Sequence, residues 1–500
     1  MTAFMKLQNG SDIRGIASEG VEGENVNLTP QIARQIGYAF ANWLAKKSGC
    51  QAKDLKIGVG RDSRITGPDL AAALMEGIVF AGASVVDCKM ATTPSMFMSI
   101  VFKETAFTGA AMITASHLPF NRNGIKFFDK DGGLEHDDIT EILSQAEKSN
   151  VEKASAPASV GSVDLISIYA EYLKNKIASA LKDIDEKLPL KGLHIVVDSG
   201  NGASGFFVDK ILKPLGADTT GSQFLEPDGM FPNHIPNPEN KQAMEAIKNA
   251  VLNNKADLGL IFDTDFDRMS AVLNDGREIN RDSIIAMIAA ILAPEYPGST
   301  IITDSITSDR LTYFLEDVLG LKHLCFKRGY KNVIDKQKEL NASGTVAPLA
   351  METSGHGALK DNYFLDDGAF LAVKLIIALA QASVKGKNLS SLIEKLPPLV
   401  EDGEFRFKIK GEDFKEYGLK VLDEFKKRAS AAGYTLPHSY EGVRISFNSE
   451  DIKGWMLLRL SLHDPVMPLN IEGARKGDLA KLVEIAKKLT DGFDRLERKF

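Results

Sequence analysis

The most informative stretch of the chain is Thr114-Ala115-Ser116-His117-Leu118-Pro119 with its continuation Asn123-Gly124-Ile125-Lys126-Phe127-Phe128, here called the serine loop. It follows the apolar run Ala110–Ile113, which has the pattern of a buried strand. Ser116 therefore lies in the turn at the end of a strand, beside His117. A serine hydroxyl becomes a useful nucleophile only with a base, a metal or both. The stretch predicts a nucleophile at the edge of an α/β sheet.

A second loop follows another strand-like run. After Asp257–Phe262 the chain continues as Asp263-Thr264-Asp265-Phe266-Asp267-Arg268, here called the carboxylate loop. In an extended segment alternate residues point the same way, so the three aspartates would converge and repel one another. A hard divalent cation removes that repulsion, and carboxylate oxygens suit magnesium. A hydroxyl and a magnesium site together predict phosphoryl transfer.

Outward from these loops, strands and helices alternate along the chain, which is typical of α/β domains. The predicted strands of this part are Lys56–Val59, Ala83–Cys88, Ala110–Thr114, Leu193–Asp198, Leu258–Phe262 and Thr300–Asp304. The predicted helices are Pro68–Ala81, Leu165–Leu181, Ser308–Leu319 and Asp367–Ala382. The remainder predicts strands Glu404–Ile409, Gly442–Phe447 and Trp455–Leu462, with helices Phe414–Ala431 and Asp478–Phe493.

A chain of 500 residues is too long for one core and predicts about three or four domains. The Ala/Ser/Pro-rich stretch Ser149–Ser162 and the Pro-Pro-containing Lys385–Leu399 are candidate boundaries. We therefore predict three successive α/β domains with mixed sheets and a smaller C-terminal α+β domain. The predicted ranges are residues 1–155 with the serine loop, 156–275 with the carboxylate loop, 276–395, and 396–500.

Composition narrows the class of protein. Apolar residues make up 44% and charged residues 25%, as in ordinary globular proteins. The net charge of −7, from 60 basic and 67 acidic side chains, argues against nucleic acid as a partner. The first residues lack signal-peptide character, and the longest uncharged apolar run, Ile284–Ala293, is too short to span a bilayer. With three widely spaced cysteines, the sequence predicts a cytoplasmic protein with no membrane partner.

A third loop, Met351-Glu352-Thr353-Ser354-Gly355-His356, is here called the selection loop. Its carboxylate and hydroxyl are suited to hydrogen-bond the neighbouring hydroxyls of a sugar, and such buried polar contacts discriminate well between substrates. The alternative interpretation is a hydrophilic turn with a capping serine.

The segment Ser199–Gly205 offers a competing hypothesis. It contains the spacing G-x-G-x-x-G after the predicted strand Leu193–Asp198, which is a formal dinucleotide-binding fingerprint. The second strand that should end in a ribose-binding acid is poor, because Thr219–Leu225 is weakly apolar and enters a turn-rich loop. A tight strand–helix turn is the favoured interpretation, and an oxidoreductase is the lesser alternative.

The three loops occur in the order found in a known family. Together with Asp12-Ile13-Arg14-Gly15 and Gly60-Arg61-Asp62-Ser63-Arg64, they resemble the motifs of the α-D-phosphohexomutases. The resemblance covers nearly the whole chain. It implies four domains around a central cleft and an isomerase of the phosphoglucomutase or phosphomannomutase type. Such an enzyme interconverts hexose 1-phosphate and hexose 6-phosphate through a phosphoserine and a 1,6-bisphosphate intermediate, and the sequence does not distinguish glucose, mannose and glucosamine.

The resemblance also implies a role for each matching residue. Ser116 carries the phosphoryl group and, with Asp263, Asp265 and Asp267, holds one Mg²⁺ per chain. His117, Lys126 and Arg14 are the candidates for proton transfer, and either His117 or Lys126 is the base. The implied substrate-binding residues of the central part of the chain are Arg268, Lys327, Glu352, Ser354 and His356. The implied activator is of the glucose 1,6-bisphosphate type, and the enzyme would be a monomer or a dimer.

The C-terminal phosphate loop departs from the family pattern Arg-Pro-Ser-Gly-Thr-Glu-Pro. Here the chain has Arg459-Leu460-Ser461-Leu462-His463-Asp464-Pro465. Arg459 and Ser461 are kept and are predicted to bind the distal phosphate by charge-assisted hydrogen bonds. We predict that His463, when protonated, replaces the lost donors. The departure also keeps open a catalytically weak, mutase-like protein that binds sugar phosphate.

Overall fold

The structure, a computed structural model, describes residues 2–151, 160–461 and 464–500. The chain forms two compact units: unit 1 is Met1–Asn280, Ser354–Gly357 and Leu365–Ser390, and unit 2 is Arg281–Thr353, Ala358–Phe364 and Ser391–Phe500. Most of the predicted linker Ser149–Ser162, and the predicted donor His463, lie outside the described residues. Along the described ranges, no helix is both long and apolar enough to cross a membrane.

Unit 1 begins with a mixed sheet that carries the serine loop. Its strands are β1 (Gln8–Asn9), β2 (Asp12–Ile16), β3 (Lys56–Arg61), β4 (Ser84–Met90), β5 (Gly109–Ile113), β6 (Arg122–Asp129), β7 (Gly132–Gly133) and β8 (Gly161–Ser162). They lie in the order β1-β2-β6-β5-β3-β4-β8, with β7 paired to β6. The helices of this part are α1 (Pro30–Ser48), α2 (Gly67–Phe80), α3 (Thr93–Val101) and α4 (His136–Lys148). Every residue of β5 is buried, and Ser116 lies in the loop that follows the C-terminal end of this central strand.

The second sheet of unit 1 carries the carboxylate loop. Helix α5 (Leu165–Ala180) precedes strands β9 (Ile195–Asp198), β10 (Leu258–Phe262), β11 (Met269–Leu273) and β12 (Glu278–Ile279), with α6 (Lys241–Asn254) inserted before β10. The order is β12-β11-β10-β9, in which β9 and β10 are parallel and β10 and β11 antiparallel. Because β10 is fully buried and turns sharply into β11, the loop between them lies at the end of a core strand.

Unit 2 opens with α7 (Asp282–Leu292) and a sheet that contains three parallel strands. Its elements are β13 (Thr300–Thr303), α8 (Asp309–Tyr313), β14 (Lys322–Cys325), α9 (Tyr330–Ala342) and β15 (Leu349–Met351). Strand β13 pairs in parallel with both β14 and β15. The chain then passes through β16 (Gly357–Leu359), β17 (Leu365–Asp366) and α10 (Gly368–Val384), the last two of which belong to unit 1.

The C-terminal part of unit 2 is an α+β domain, as predicted. Its elements are β18 (Glu401–Ile409), α11 (Phe414–Ala431), β19 (Val443–Asn448), β20 (Lys453–Leu458), β21 (Val466–Gly473), α12 (Asp478–Leu489) and β22 (Leu496–Glu497). The strand order is β19-β20-β21-β18-β22, and its pairs are antiparallel. The helices bury Val421, Phe425 and Leu482 against the sheet.

The predicted elements of both units are found within a few residues of their expected ends, with two corrections. The predicted helix Ser308–Leu319 is α-helical only over Asp309–Tyr313 and continues as a π-helix over Phe314–Val318. Strand β20 ends at Leu458 and does not extend to residue 462. The segment Thr219–Leu225 makes only an isolated bridge through Gln223 to Asp198, so it does not provide the strand that the dinucleotide hypothesis needs.

Candidate active site

Ser116 lies in a buried, constrained turn. Its side chain and main chain are 4% exposed, and its backbone is left-handed with φ of 50°. The Ser116 hydroxyl donates a hydrogen bond to Asp263 Oδ2 at 2.9 Å, and its Oγ lies 3.4 Å from His117 Nδ1. The serine loop and the carboxylate loop therefore meet at Ser116, which lies 147 positions before Asp263 in the sequence.

A buried arginine holds the serine loop by its main chain. The Arg64 side chain is fully buried, and its guanidinium donates to four carbonyl oxygens of the loop. The accepting carbonyls are those of Ser116, Leu118, Pro119 and Arg122. Left-handed backbone at a non-glycine residue is unfavourable, so a loop of this shape needs such external support.

A threonine–aspartate pair fixes the approach to Ser116. Thr114 Oγ1 donates to Asp62 Oδ2 at 2.6 Å and accepts from the Ser116 amide at 2.9 Å. Arg14, the predicted proton-transfer residue, donates to the Thr114 carbonyl at 2.7 Å and pairs with Asp12 at 2.8 Å. Arg14 is therefore a neighbour of the serine loop, where its positive charge acts on His117.

The carboxylate loop is a tight turn, which corrects the expectation of an extended segment. The main chain folds back between Asp263 and Asp267, and Phe266 takes a left-handed conformation with φ of 70°. The three aspartates still converge: one oxygen from each lies within 4.8 Å of the others, and all three residues are fully buried. Their convergence comes from the coil of the turn and not from strand alternation.

Positive charge only partly balances the three carboxylates. Lys126 Nζ lies 2.5 Å from Asp267 Oδ2 and 3.2 Å from Asp265 Oδ2. Despite burial, the charge of Lys126 holds the pKa of Asp267 well below its ordinary value. Burial and the charges of Asp267 and Asp265 raise the pKa of Asp263 well above its ordinary value. Asp267 is therefore the more readily ionised of the two, and a further positive charge nearby would favour the ionised form of Asp263.

The donor set fits a magnesium ion. Among the described residues, nothing donates a hydrogen bond to Asp265 Oδ1 or Asp267 Oδ1, although both oxygens are buried. A buried carboxylate oxygen without a partner is costly, and a hard cation with oxygen ligands supplies one. Asp263, Asp265 and Asp267, together with Ser116 Oγ on Asp263, are the residues that would hold it.

Arg268 is oriented by a chain of buried hydrogen bonds. Its Nε donates to His356 Nε2 at 2.8 Å, and His356 Nδ1 lies 2.6 Å from Asp366 Oδ2. Because Nε2 accepts, Nδ1 carries the proton and donates to Asp366. Arg268 Nε also lies 3.7 Å from Asp263 Oδ2, so the guanidinium shares a carboxylate with Ser116. His356 thus contacts Arg268 and Asp366, which the sequence did not predict.

The two candidate bases have different surroundings. His117 contacts the Ser116 hydroxyl, whereas Lys126 contacts two aspartates of the carboxylate loop. Burial, together with the charges of Arg268 and Arg14, lowers the pKa of His117 to about 2. The imidazole is therefore neutral at physiological pH, and it is placed to exchange a proton with Oγ.

In unit 2, four residues whose charges act on Asp304, or that are Asp304 itself, are here called the recognition group: Asp304, Arg328, Glu352 and Arg459. The buried Glu352 Oε1 accepts from the Gly329 amide at 2.6 Å. Asp304, fully buried at the end of β13, accepts from Thr353 Oγ1 at 2.9 Å and lies 3.9 Å from Arg328 Nε. Burial and the charge of Glu352 raise the pKa of Asp304 to about 7. This part of unit 2 is thus built from partly balanced charges.

The remaining predicted substrate-binding residues lie at different depths. Burial and the charge of Arg328 lower the pKa of Arg459, and within the described ranges its buried Nε has no hydrogen-bond partner. Ser461 Oγ accepts from the Asp464 amide at 3.3 Å, and the side chain of Lys327 is exposed. Ser354, in unit 1, has a buried hydroxyl with no hydrogen-bond partner among the described residues.

Several residues had no predicted role: Asp62, Arg64, Thr93 and Asp366 in unit 1, and Asp304 in unit 2. Asp304 could have been predicted from the sequence, because it is a polar residue directly after a strand, as Asp263 is, and Ser116 follows its strand after two further residues. Arg64 and Asp62 belong to a quoted motif, but nothing in it indicates that the guanidinium would bind carbonyls. Thr93 donates its hydroxyl to Asp265 Oδ2 at 2.5 Å across 172 residues, and the sequence carries no signal for that contact.

A buried serine hydroxyl against a cluster of carboxylates, on α/β domains, is chemically suited to metal-assisted group transfer. Comparison with known proteins is more specific. Three models of the phosphoglucomutase/phosphomannomutase family match this chain: alpha/beta/alpha domain I at residues 5–153, domain II at 167–276 and domain III at 280–400.

Whole-length relatives agree with these matches. A phosphomannomutase/phosphoglucomutase of Pseudomonas aeruginosa is 30% identical over 485 residues, covering 97% of this chain and 95% of that protein. A phosphoglucomutase/phosphomannomutase of Thermococcus kodakarensis is 31% identical over 499 residues, covering 97% and 98%. A crystal structure of a phosphoglucomutase/phosphomannomutase family protein from Burkholderia thailandensis aligns with TM-score 0.80 at 27% identity, covering 99% and 100%. The chain belongs to the α-D-phosphohexomutase family.

Proposed function

We propose that this protein is a phosphohexomutase, an isomerase that moves phosphate between C1 and C6 of a hexose phosphate. The reaction runs through phosphorylated Ser116 and a hexose 1,6-bisphosphate, and the enzyme is of the phosphoglucomutase or phosphomannomutase type. The observation that carries the proposal is the hydrogen bond from the Ser116 hydroxyl to Asp263 Oδ2, at 2.9 Å, within a cluster of three buried aspartates.

The transfer has two halves, which are chemically alike. In the first, the bond between phosphorus and Ser116 Oγ breaks and a bond to the free sugar hydroxyl forms; the sugar hydroxyl loses its proton and Oγ takes one up. In the second, the other phosphate of the bisphosphate returns to Oγ, which loses its proton, and the sugar oxygen that the phosphate leaves takes one up. Phosphoryl transfer needs positioning and charge stabilisation more than covalent help. The held serine loop and the cations around it suit that task.

Proton movement at Oγ is assigned to His117. Its Nδ1 lies 3.4 Å from Oγ and is neutral when two arginine charges and burial act on it. A phosphoryl group on Ser116 adds negative charge beside the imidazole, which raises the pKa of the imidazole toward a useful value. Lys126 is the alternative base. Its contacts with Asp265 and Asp267 favour a role in balancing the carboxylate charge.

The aspartate cluster is the basis for the cofactor. We propose one Mg²⁺ per chain, held by Ser116, Asp263, Asp265 and Asp267. When bound, it supplies positive charge to the transferring phosphoryl group. Arg268, which is aligned by His356, lies beside Asp263 and is assigned to the same phosphate. A bisphosphate activator of the glucose 1,6-bisphosphate type would phosphorylate Ser116 in enzyme that has lost its phosphate.

Sugar recognition is assigned to the recognition group with Ser354, Lys327 and Ser461. Glu352 and Ser354 offer a carboxylate and a hydroxyl to the sugar hydroxyls. Arg459 offers a buried Nε–H to the phosphate that is not being transferred. His463, which lies outside the described residues, stays a predicted further donor. Free cysteines at Cys50, Cys88 and Cys325 agree with a cytoplasmic setting, and the enzyme is proposed to act as a monomer or a dimer.

The two alternatives are less well supported. A dinucleotide-dependent oxidoreductase is not favoured, because the chain belongs to another family and the segment Thr219–Leu225 is not a regular strand. A mutase-like protein without turnover remains the competing proposal only on account of Leu462 and His463 in the altered phosphate loop.

The deciding experiment is a comparison of kcat/KM on the 1-phosphates of glucose, mannose and glucosamine, each with its matching 1,6-bisphosphate. We expect turnover on at least one, and its rank order names the sugar. Binding of all three without conversion, with the activator present and Ser116 phosphorylated, would support the non-catalytic alternative.

A further inference from the structure

The position between the second and third aspartates of the carboxylate loop carries a bulky residue where the backbone favours glycine. Phe266 has φ of 70°. In the left-handed region the Cβ of an L-residue comes close to a carbonyl oxygen, and a residue larger than glycine occupies it at a cost in free energy. Such strain persists only where the surroundings impose the conformation. The side chain of Phe266 shows what imposes it.

The Phe266 ring is fully buried among three other phenylalanines. Its centroid lies 4.3 Å from that of Phe262, 5.6 Å from Phe206 and 5.7 Å from Phe207. The interplanar angles are 85°, 88° and 82°, so each contact is edge-to-face, the favourable arrangement for aromatic pairs. These four residues are here called the phenylalanine clamp. One member ends β10, and two follow the glycine-rich turn Ser199–Gly205.

The main chain on either side of Phe266 is also tied down. The Asp265 carbonyl accepts from the Thr93 amide at 2.9 Å, and the Thr264 carbonyl accepts from the Ala203 amide at 2.9 Å. Gly202 lies so close to Thr264 that a Cβ at position 202 would be 2.7 Å from the Thr264 carbonyl oxygen. The main chain of the loop is therefore held by two separate segments, which opposes a backbone shift that would move its aspartates apart.

We propose that Phe266 is a positioning residue and that the phenylalanine clamp preforms the cation site. The buried ring takes the part that a glycine would play: it makes the left-handed turn the stable one, and so holds three mutually repelling carboxylates together before a cation arrives. A preformed, compact oxygen site suits Mg²⁺, which demands a small and regular shell, and disfavours the larger Ca²⁺. The inference rests on the proposed metal role of the carboxylate loop.

The test is direct metal binding, measured by electron paramagnetic resonance of Mn²⁺ added alone to the full-length dephosphorylated protein. Phe266→Gly removes the ring and leaves the backbone free to adopt φ of 70°. We expect Mn²⁺ affinity to fall about 10–100-fold, the usual loss when support around metal ligands is removed. Phe266→Leu, which restores apolar bulk, should recover part of the affinity, and competition by Ca²⁺ against Mn²⁺ should be stronger in Phe266→Gly.

Two further variants separate positioning from general stability. Phe207→Leu changes the clamp at a residue outside the carboxylate loop and should also weaken Mn²⁺ binding. Phe40→Leu is the matched control: Phe40 is equally buried and stacks on Phe127 at 4.2 Å in the first sheet's core. It should lower the melting temperature but leave Mn²⁺ affinity unchanged.

The outcomes are distinguishable. Wild-type Mn²⁺ affinity in Phe266→Gly, or in folded Phe266→Leu and Phe207→Leu if the glycine variant does not fold, overturns the inference alone. An equal loss of affinity in Phe40→Leu also overturns it. Absence of Mn²⁺ binding in the wild type overturns both the inference and the metal role, whereas Mn²⁺ binding without mutase turnover contradicts the proposed function and leaves the clamp supported.

Discussion

The carboxylate loop in unit 1 and the recognition group in unit 2 are both buried clusters of charge, but they leave different atoms unsatisfied. Among described residues, the open atoms of the carboxylate loop are two carboxylate oxygens, Asp265 Oδ1 and Asp267 Oδ1. Those of the recognition group are of both kinds: the acceptor Asp304 Oδ1 and the donor Arg459 Nε.

The difference indicates the chemistry of each ligand. A site that offers only acceptors calls for a cation, since a buried anionic oxygen without a partner is costly. A site that offers a guanidinium and a carboxyl calls for a molecule with both phosphate and hydroxyl groups. The proposed function assigns the chemical step to the carboxylate loop and sugar recognition to the recognition group, so substitutions in the two clusters should change different kinetic constants.

The largest effect is expected at the nucleophile. Ser116→Ala should lower kcat by about a thousandfold or more, because it deletes the group that carries the phosphate. Intact-protein mass spectrometry should show one phosphate on the wild type and none on this variant. Ser99→Ala, which removes another buried hydroxyl in α3, is the control and should keep turnover. Full activity of the Ser116 variant would exclude the phosphoserine route.

Substitutions in the carboxylate loop should lower kcat. Asp265→Asn should lower kcat by about a hundredfold, since metal stabilisation of a phosphoryl group is worth several kcal/mol. Excess chelator should stop turnover, and Mg²⁺ should restore it better than Ca²⁺ does. The control is Asp257→Asn, at the other end of the same strand, where the carboxylate accepts from the His194 amide. Undiminished turnover in chelator would remove the metal from the mechanism.

Substitutions of Arg459 in the recognition group should raise KM. Arg459→Ala should raise KM about 10–100-fold, as expected when a charge-assisted hydrogen bond of about 1.5–3 kcal/mol is lost. Arg459→Lys should recover only part, because an ammonium lacks the planar fork of a guanidinium. Arg495→Ala, whose partner is the exposed Asp413, serves as control. A KM that ignores Arg459 would break the distinction between the two clusters.

Selectivity should change more modestly at Glu352. Glu352→Gln keeps an acceptor for the Gly329 amide but removes the charge, so the loop should remain in place. We expect the ratio of kcat/KM between two hexose phosphates to change by about tenfold, while phosphorylation of Ser116 by the bisphosphate changes little. Equal losses on every sugar would make Glu352 a structural residue.

The smallest expected effect concerns the stability of the fold at Asp304 and not the rate of the reaction. The folded-state pKa of Asp304 is about 7, against 3.8 for an ordinary aspartate, so the folded chain holds its proton more tightly. Between about pH 4 and 7 the free energy of unfolding should therefore fall as pH rises, by less than about 1.4 kcal/mol per pH unit. Asp304→Asn should flatten that slope in urea titrations. A slope equal to that of the wild type would mean that Asp304 does not cause it.

The sequence predicted the parts of this molecule that depend on local pattern. The strands before Ser116 and Asp263 are apolar runs with polar ends, and both loops lie where those runs end. The three aspartates were found by type and spacing. Their geometry was not, because alternation predicts an extended chain, whereas the chain turns at Phe266, whose ring packs against Phe206 and Phe207 from a distant part of the sequence.

Contacts between distant segments account for the other surprises. His356 was assigned to the sugar, but its ring lies between Arg268 and Asp366, and only the fold brings these together. The long-range bond between Thr93 and Asp265 is of the same kind. Side chains that support other side chains carry no local pattern, so a single sequence identifies the ligating residues and leaves their supports unseen.

The grip of Arg64 on the serine loop has a consequence for how the protein can change over evolution. Every residue supplies a main-chain carbonyl, so positions 118, 119 and 122 can exchange their side chains without losing the oxygens that Arg64 binds. Position 64 is the one that must be kept, because no other side chain presents five N–H donors in a fixed fork. The sequence of the loop can therefore change while Arg64 maintains its conformation.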